Sequence, residues 1–188
     1  MNKFATIFLA TAFLSTGLFS VQAEPERKGN STMLHVKDYG GKNGDKVSEG
    51  TKAPLFIAND SNGKKVDLGS FKGKKNILLV FYPGDNTPGC TTQLCAIRDD
   101  YKGLEKLDLV VFGVNPADES SHKKFITDHK FPFQLIVDKD KKISEAYDAI
   151  GMFGFISRTV VLIDKKGDIV FYKRGMPELK PDKIAKLL

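Results

Sequence analysis

The chain has 188 residues, 41% hydrophobic and 28% charged, with a formal net charge of +6. That balance fits one globular domain with a real core and excludes a disordered or fibrous chain. Its lysines are spread along turns (Lys64-Lys65, Lys72 to Lys75, Lys123-Lys124, Lys139 to Lys142) instead of lining one helix or interleaving with aromatics, so no nucleic-acid-binding face is expected.

Residues 1–23 read as a secretory signal peptide. Lys3 gives a positive start, Phe4 to Phe19 is apolar with small interruptions, and Val21-Gln22-Ala23 ends in a small-x-small site. Cleavage after Ala23 removes only Lys3 among the charged residues, lowering the formal charge from +6 to +5. A retained anchor is disfavoured, because the apolar run falls short of a comfortable span and carries Ser15, Thr16 and Gly17. A periplasmic or secreted location is expected, with no membrane attachment after cleavage.

Residues 24–46 are polar and glycine-rich, an expected flexible lead-in to a domain over 47–188. A short strand near Phe56 to Ala58 turns at Asn62-Gly63 into Lys65 to Leu68, an N-terminal hairpin. Ile77 to Tyr82 is a continuous apolar run suited to a strand buried on both faces. The turn segment Pro83 to Gly89 follows, and a helix is predicted from about Cys90, with Cys90, Leu94, Ile97 and Tyr101 on one face. Further on come a strand at Leu107 to Val114 and a helix capped by Ser120 or Ser121 and reaching His129. A strand at Phe133 to Val137 and a short helix at Lys142 to Tyr147 follow. A hairpin pairs Thr159 to Ile163 with Asp168 to Arg174, and Pro181 opens a closing helix that runs out at Leu188. Alternating strands and helices ending in a hairpin indicate an α/β fold with a mixed central β-sheet flanked by helices. Ligands in such sheets bind beyond the carboxyl ends of strands, which is where Cys90 falls.

Both cysteines of the chain, Cys90 and Cys95, lie on this one helix. At the first turn, unpaired N–H groups and the macrodipole favour an anion, so a thiolate at Cys90 is stabilised. Five helical residues give about 7.5 Å of rise and ~140° of rotation. The Cα atoms are then roughly 8–9 Å apart, beyond the approximately 7 Å limit for a disulfide. A permanent bridge would therefore oppose the helix, whereas a transient one could form with local unwinding. An exported protein with an inert structural disulfide, and an exported thiol-disulfide oxidoreductase, stay open at this point; the absence of C-x-x-C weighs against the second. Two cysteines without a neighbouring histidine make no closed zinc site, so no metal is expected.

Pro83-x-x-x-Thr87-x-x-Cys90 resembles the active-site signature of the peroxiredoxins, and FYPGDNTPGCTTQLCAIRDDY is similar to the bacterioferritin-comigratory-protein, or peroxiredoxin Q, subfamily. The resemblance runs from about Val47 to Arg174. It implies a thioredoxin-like fold, with the N-terminal hairpin as an addition. The implied activity is thiol-dependent reduction of hydrogen peroxide and organic hydroperoxides, without metal or organic cofactor. By position, Cys90 would be the peroxidatic cysteine. Thr87 would offer its hydroxyl to thiolate and peroxide, Pro83 would shield the thiolate, and Arg158 would polarise the peroxide oxygens. Cys95 matches the resolving cysteine, which would form a disulfide with Cys90 for a thioredoxin-like protein to reduce. A monomer is the subfamily's tendency.

Other residues are assigned bland roles. His35, His122 and His129 are expected at the surface. Asp99 and Asp100 are expected to be solvated or one of them paired with Arg98 or Lys102, and Phe153 and Phe155 are expected in the core in preference to a rim of the pocket.

Overall fold

The computed structural model describes residues 35–37 and 47–188, so the expected signal peptide (1–23) lies outside the described residues, as does all but three residues of the expected lead-in (24–46). The strands are β1 (His35–Lys37), β2 (Leu55–Asn59), β3 (Lys65–Asp67), β4 (Asn76–Phe81), β5 (Leu109–Asn115), β6 (Gln134–Val137), β7 (Thr159–Ile163) and β8 (Ile169–Arg174). The α-helices are α1 (Pro88–Glu105), α2 (Glu119–His129), α3 (Lys142–Ala146) and α4 (Pro181–Ala185).

The apolar run that looked central in the sequence is central in space. The main sheet has the order β6-β5-β4-β7-β8. β4 pairs parallel with β5 and antiparallel with β7, so the sheet is mixed. Successive side chains of a strand point to opposite faces, and both faces of β4 are covered. Ile77, Leu79 and Phe81 pack with Phe56, Phe112 and Tyr147 on one side. Leu78, Val80 and Tyr82 pack on the other with Cys90, Leu94, Ile97 and Leu104 of α1. Cys90 thus belongs to the apolar face that seats the helix.

Several boundaries differ from expectation for identifiable reasons. Three residues of the expected lead-in form β1, which pairs antiparallel with β2; β2 and β3 are the expected hairpin. β5 begins at Leu109, not Leu107, because Asp108 turns the chain at φ 53°. The Asp108 carboxylate accepts from Lys165 and Lys75, which hold its carboxyl down at about 2. Asp118, not a serine, caps α2 by accepting from the Ser121 N–H at 2.8 Å.

The expected core positions of Phe153 and Phe155 are overturned: the rings are 87% and 69% exposed. Ile150 and Ile156 bridge to close this short loop and take the inward positions, and Phe153 at its tip has φ 59°. At the C-terminus, α4 stops at Ala185, short of Leu188, but Ile184 is buried in the core beneath α1. The approach of the two helices is close. A Cβ on Gly103 would come within 2.5 Å of the Pro181 ring.

Leu79 has no exposed surface. Leu79→Ala should destabilise the domain by about 3 kcal/mol, from lost burial plus the cavity left behind. Urea unfolding measures this, and a loss below about 1 kcal/mol would contradict the double-sided packing of β4.

Candidate active site

The chain leaves β4 at Tyr82, crosses Pro83 to Asn86, and enters α1 with Thr87 as N-cap and Pro88 as first residue. Proline suits that position because its missing N–H would have no helical partner. The helix therefore starts two residues earlier than predicted, and Cys90 is its third residue, still within the first turn. Its side chain is fully buried. Arg158, immediately before β7, reaches across the sheet end to place Nη2 3.4 Å from Cys90 Sγ. The register explains the meeting: Phe81 of β4 pairs with Thr159 of β7, so the end of one strand adjoins the start of the other.

Gly89 makes room for that guanidinium. A Cβ at this position would lie 2.6 Å from Arg158 Nη2. The Arg158 Nε is buried and has no hydrogen-bond partner in the protein. The Thr87 hydroxyl donates to the Gly84 carbonyl at 3.3 Å and does not cap the helix. Pro83 and Thr87 are both exposed, at the two ends of the loop that joins β4 to α1.

The loop is held by a cluster that linear spacing gave no means of seeing. Asp85 has a side chain only 3% exposed. Its Oδ1 accepts from the Tyr82 hydroxyl at 2.8 Å and from Asn115 Nδ2 at 2.7 Å. Its Oδ2 accepts from the Ser121 hydroxyl at 2.6 Å and lies 2.9 Å from His122 Nδ1. Burial pushes this carboxyl up, but the hydrogen bonds from His122 and Ser121, with the His122 charge, outweigh it and hold it below the ordinary carboxylate value. Burial, and then Asp85, push the Tyr82 phenol well up, so it stays a donor.

His122, expected at the surface, is fully buried. The correction has a simple cause, for both ring nitrogens face acceptors: Asp85 Oδ2 on one side and the Ile136 carbonyl, at 3.3 Å, on the other. His129 is half-buried, stacked at 5.6 Å on Phe131, and thus also departs from a purely surface role. The side chain of His35 lies outside the described residues. Asp99 pairs with Arg98 as expected, while Asp100 pairs with Lys180 across to the C-terminal segment.

Cys95 is half-buried in the middle of α1, two turns below the tip of the helix. Both cysteines are free thiols, and the helix is continuous through them. Between them, Gln93 is buried with neither amide atom partnered. The arrangement presents a sulfur at a helix N-terminus beside a fixed cation, with a second thiol reachable only if the intervening turns unwind.

Asp85→Asn should lower stability by about 2 kcal/mol, since an amide nitrogen cannot accept and leaves donors among Tyr82, Asn115, Ser121 and His122 buried without an acceptor. The sign of the acid dependence follows from the lowered carboxyl: its stabilisation is present above the ordinary value of 3.8 and is lost as pH falls through the lower folded-state value. Urea midpoints measured from pH 7 downward should therefore drop more steeply below 3.8 in the parent protein than in Asp85→Asn.

Residues 50–172 match the model of the AhpC/TSA family. The chain is 38% identical over 147 residues to the chloroplastic peroxiredoxin Q of Populus jackii, covering 76% of this chain and 68% of that protein. It is 41% identical over 131 residues to peroxiredoxin Bcp of Bacillus subtilis, covering 66% of this chain and 83% of that one. Among solved structures, the bacterioferritin comigratory protein of Xanthomonas campestris superposes with a TM-score of 0.62 at 27% identity, covering 70% of this chain and 88% of that chain. With the thioredoxin-like sheet and the thiol at the head of α1, these likenesses show that the chain belongs to the AhpC/TSA family of peroxiredoxins.

Proposed function

We propose that this thiol-dependent peroxidase works through Cys90 as the attacking thiol and Cys95 as the resolving one. The observation that carries the reading is Arg158 Nη2 at 3.4 Å from the buried Cys90 sulfur, at the N-terminus of α1. The guanidinium can receive the charge that grows on the peroxide oxygens as the sulfur attacks.

The thiolate attacks one peroxide oxygen and the O–O bond breaks. The other oxygen leaves as water or an alcohol after taking up a proton, and Cys90 becomes a sulfenic acid. Thr87 and Pro83 serve this step from the loop between β4 and α1, Thr87 by presenting its hydroxyl and Pro83 by limiting water. The sulfenic acid then condenses with the Cys95 thiol, releasing water and closing the disulfide. A thioredoxin-type dithiol returns both sulfurs to thiols by exchange. Organic hydroperoxides are proposed as substrates beside hydrogen peroxide. Alkyl peroxide reduction is the activity named for the Xanthomonas campestris protein, and apolar walls surround Cys90 here.

The proposed setting is a periplasmic or secreted monomer, freed of residues 1–23 by cleavage after Ala23. N-terminal sequencing of the protein recovered after export tests the cleavage.

One equivalent of hydrogen peroxide added to the reduced protein should remove both thiols and two hydrogens from the intact mass. Cys90→Ser should consume no peroxide above background. Cys95→Ser should stop after one oxidation, with the added oxygen retained on Cys90. A Cys90→Ser protein as active as the parent would sink the assignment. Arg158→Met should slow oxidation of Cys90 by about a hundredfold, read as single-turnover loss of the Cys90 thiol.

A further inference from the structure

Gln93 lies on α1 between the two cysteines and is only 6% exposed. Its Nε2 and Oε1 are both buried without a hydrogen-bond partner in the protein. The side chain sits at a cleft of about 230 Å³ between α1 and the segment 176–180, lined by Ile97, Met176 and Leu179 together with Asp100, Glu178 and Lys180. An amide with both polar atoms buried and unpartnered loses water bonds without replacement, which disfavours the wound helix by a factor on the order of ten. An apolar side chain of the same length would carry no such penalty. In the unwound chain, the amide is hydrated and the penalty vanishes.

The two halves of α1 are fastened very differently. Beyond Cys95, Asp100 pairs with Lys180 at 2.8 Å, and Gly103 lies directly against Pro181. The first half is held by Arg158 at Cys90 and by the buried Leu94, and between Cys90 and Cys95 it carries the orphaned amide.

We infer that Gln93 is a positioning residue for disulfide formation: its unpaired amide destabilises the wound form of residues 90–95 and so raises the population of the unwound form in which Cys95 reaches Cys90. The Asp100–Lys180 pair and the Gly103–Pro181 contact confine the unwinding to that first part of the helix. The inference rests on the Cys90–Cys95 cycle proposed above. It concerns the second chemical step alone, in which the Cys90 sulfenic acid and Cys95 thiol form a sulfur–sulfur bond and release water.

The test uses Gln93→Leu and Gln93→Met in the full mature protein. Rapid-quench mass spectrometry separates sulfenic acid formation from disulfide formation. Hydrogen exchange reads the opening of residues 90–95 separately from that of residues 100–105. Oxidation of Cys90 should keep its parental rate in both variants. Disulfide formation should slow about tenfold, exchange of the 90–95 amides should slow by a similar factor, and more Cys90 should reach the sulfinic state at a given peroxide excess.

A structural role alone would move stability without splitting the two chemical rates. Unchanged disulfide rates would overturn the inference. So would variants that are less stable than the parent, because deleting an orphaned polar group must stabilise the wound state. If the parent forms no Cys90–Cys95 bond at all, the cycle fails instead, while exchange of residues 90–95 still reports whether Gln93 loosens the helix.

Discussion

Four donors converge on one carboxylate at the mouth of the site. Asp85 takes bonds from the end of β4, the end of β5 and the first turn of α2. A loop of small and turn-forming residues has little packing of its own, so its shape is set by this buried anion. The position of Thr87 as N-cap follows from it, and with Thr87 the start of α1 and the depth of Cys90. Arg158 arrives independently, through the pairing of β4 with β7, and Gly89 lets it approach. Two unrelated parts of the fold thus fix the sulfur and the guanidinium that the proposed chemistry uses.

The same helix has to satisfy opposite demands in the proposed cycle. Its first turn must be wound to present a thiolate, and it must open to bring Cys95 within bonding distance. Uniform stability along α1 would serve one demand at the expense of the other. The first half, packed through Cys90 and Leu94, carries an unsatisfied amide, and the second half adds an ion pair and close packing to α4. Local stability is a property that varies along one element, and here it varies at the place where the chemistry changes hands.

Much of this was legible in the sequence because it is local. An unbroken apolar run such as Ile77 to Tyr82 has few uses other than a strand covered on both faces, and the turn and proline before Cys90 place a sulfur at a helix start. The hairpin at Asn62-Gly63 and strand β7 were equally plain. What was hidden depends on partners far apart along the chain. His122 stands in a polar stretch, and only the fold brings Asp85 to it across 37 residues. Gln93 looks like an ordinary polar position on a helix until the segment 176–180 closes over it. Phe153 and Phe155 misled in the other direction, since a large aromatic ring in a short loop has no core within reach once Ile150 and Ile156 have taken the inward places. Arg158 needed the family resemblance, because a lone arginine before a strand carries no periodic signal.

The strand β1 has a practical consequence for anyone choosing where to begin a shortened chain. Its three residues, His35 to Lys37, bond along β2 from Leu55 to Ile57. A chain started at residue 47 would keep every residue of the active site and yet leave that side of β2 with free backbone donors and acceptors. Open strand edges recruit strands from other molecules. A truncation that looks harmless from the candidate site would therefore invite self-association through the opened edge of β2, whatever the assembly of the longer chain.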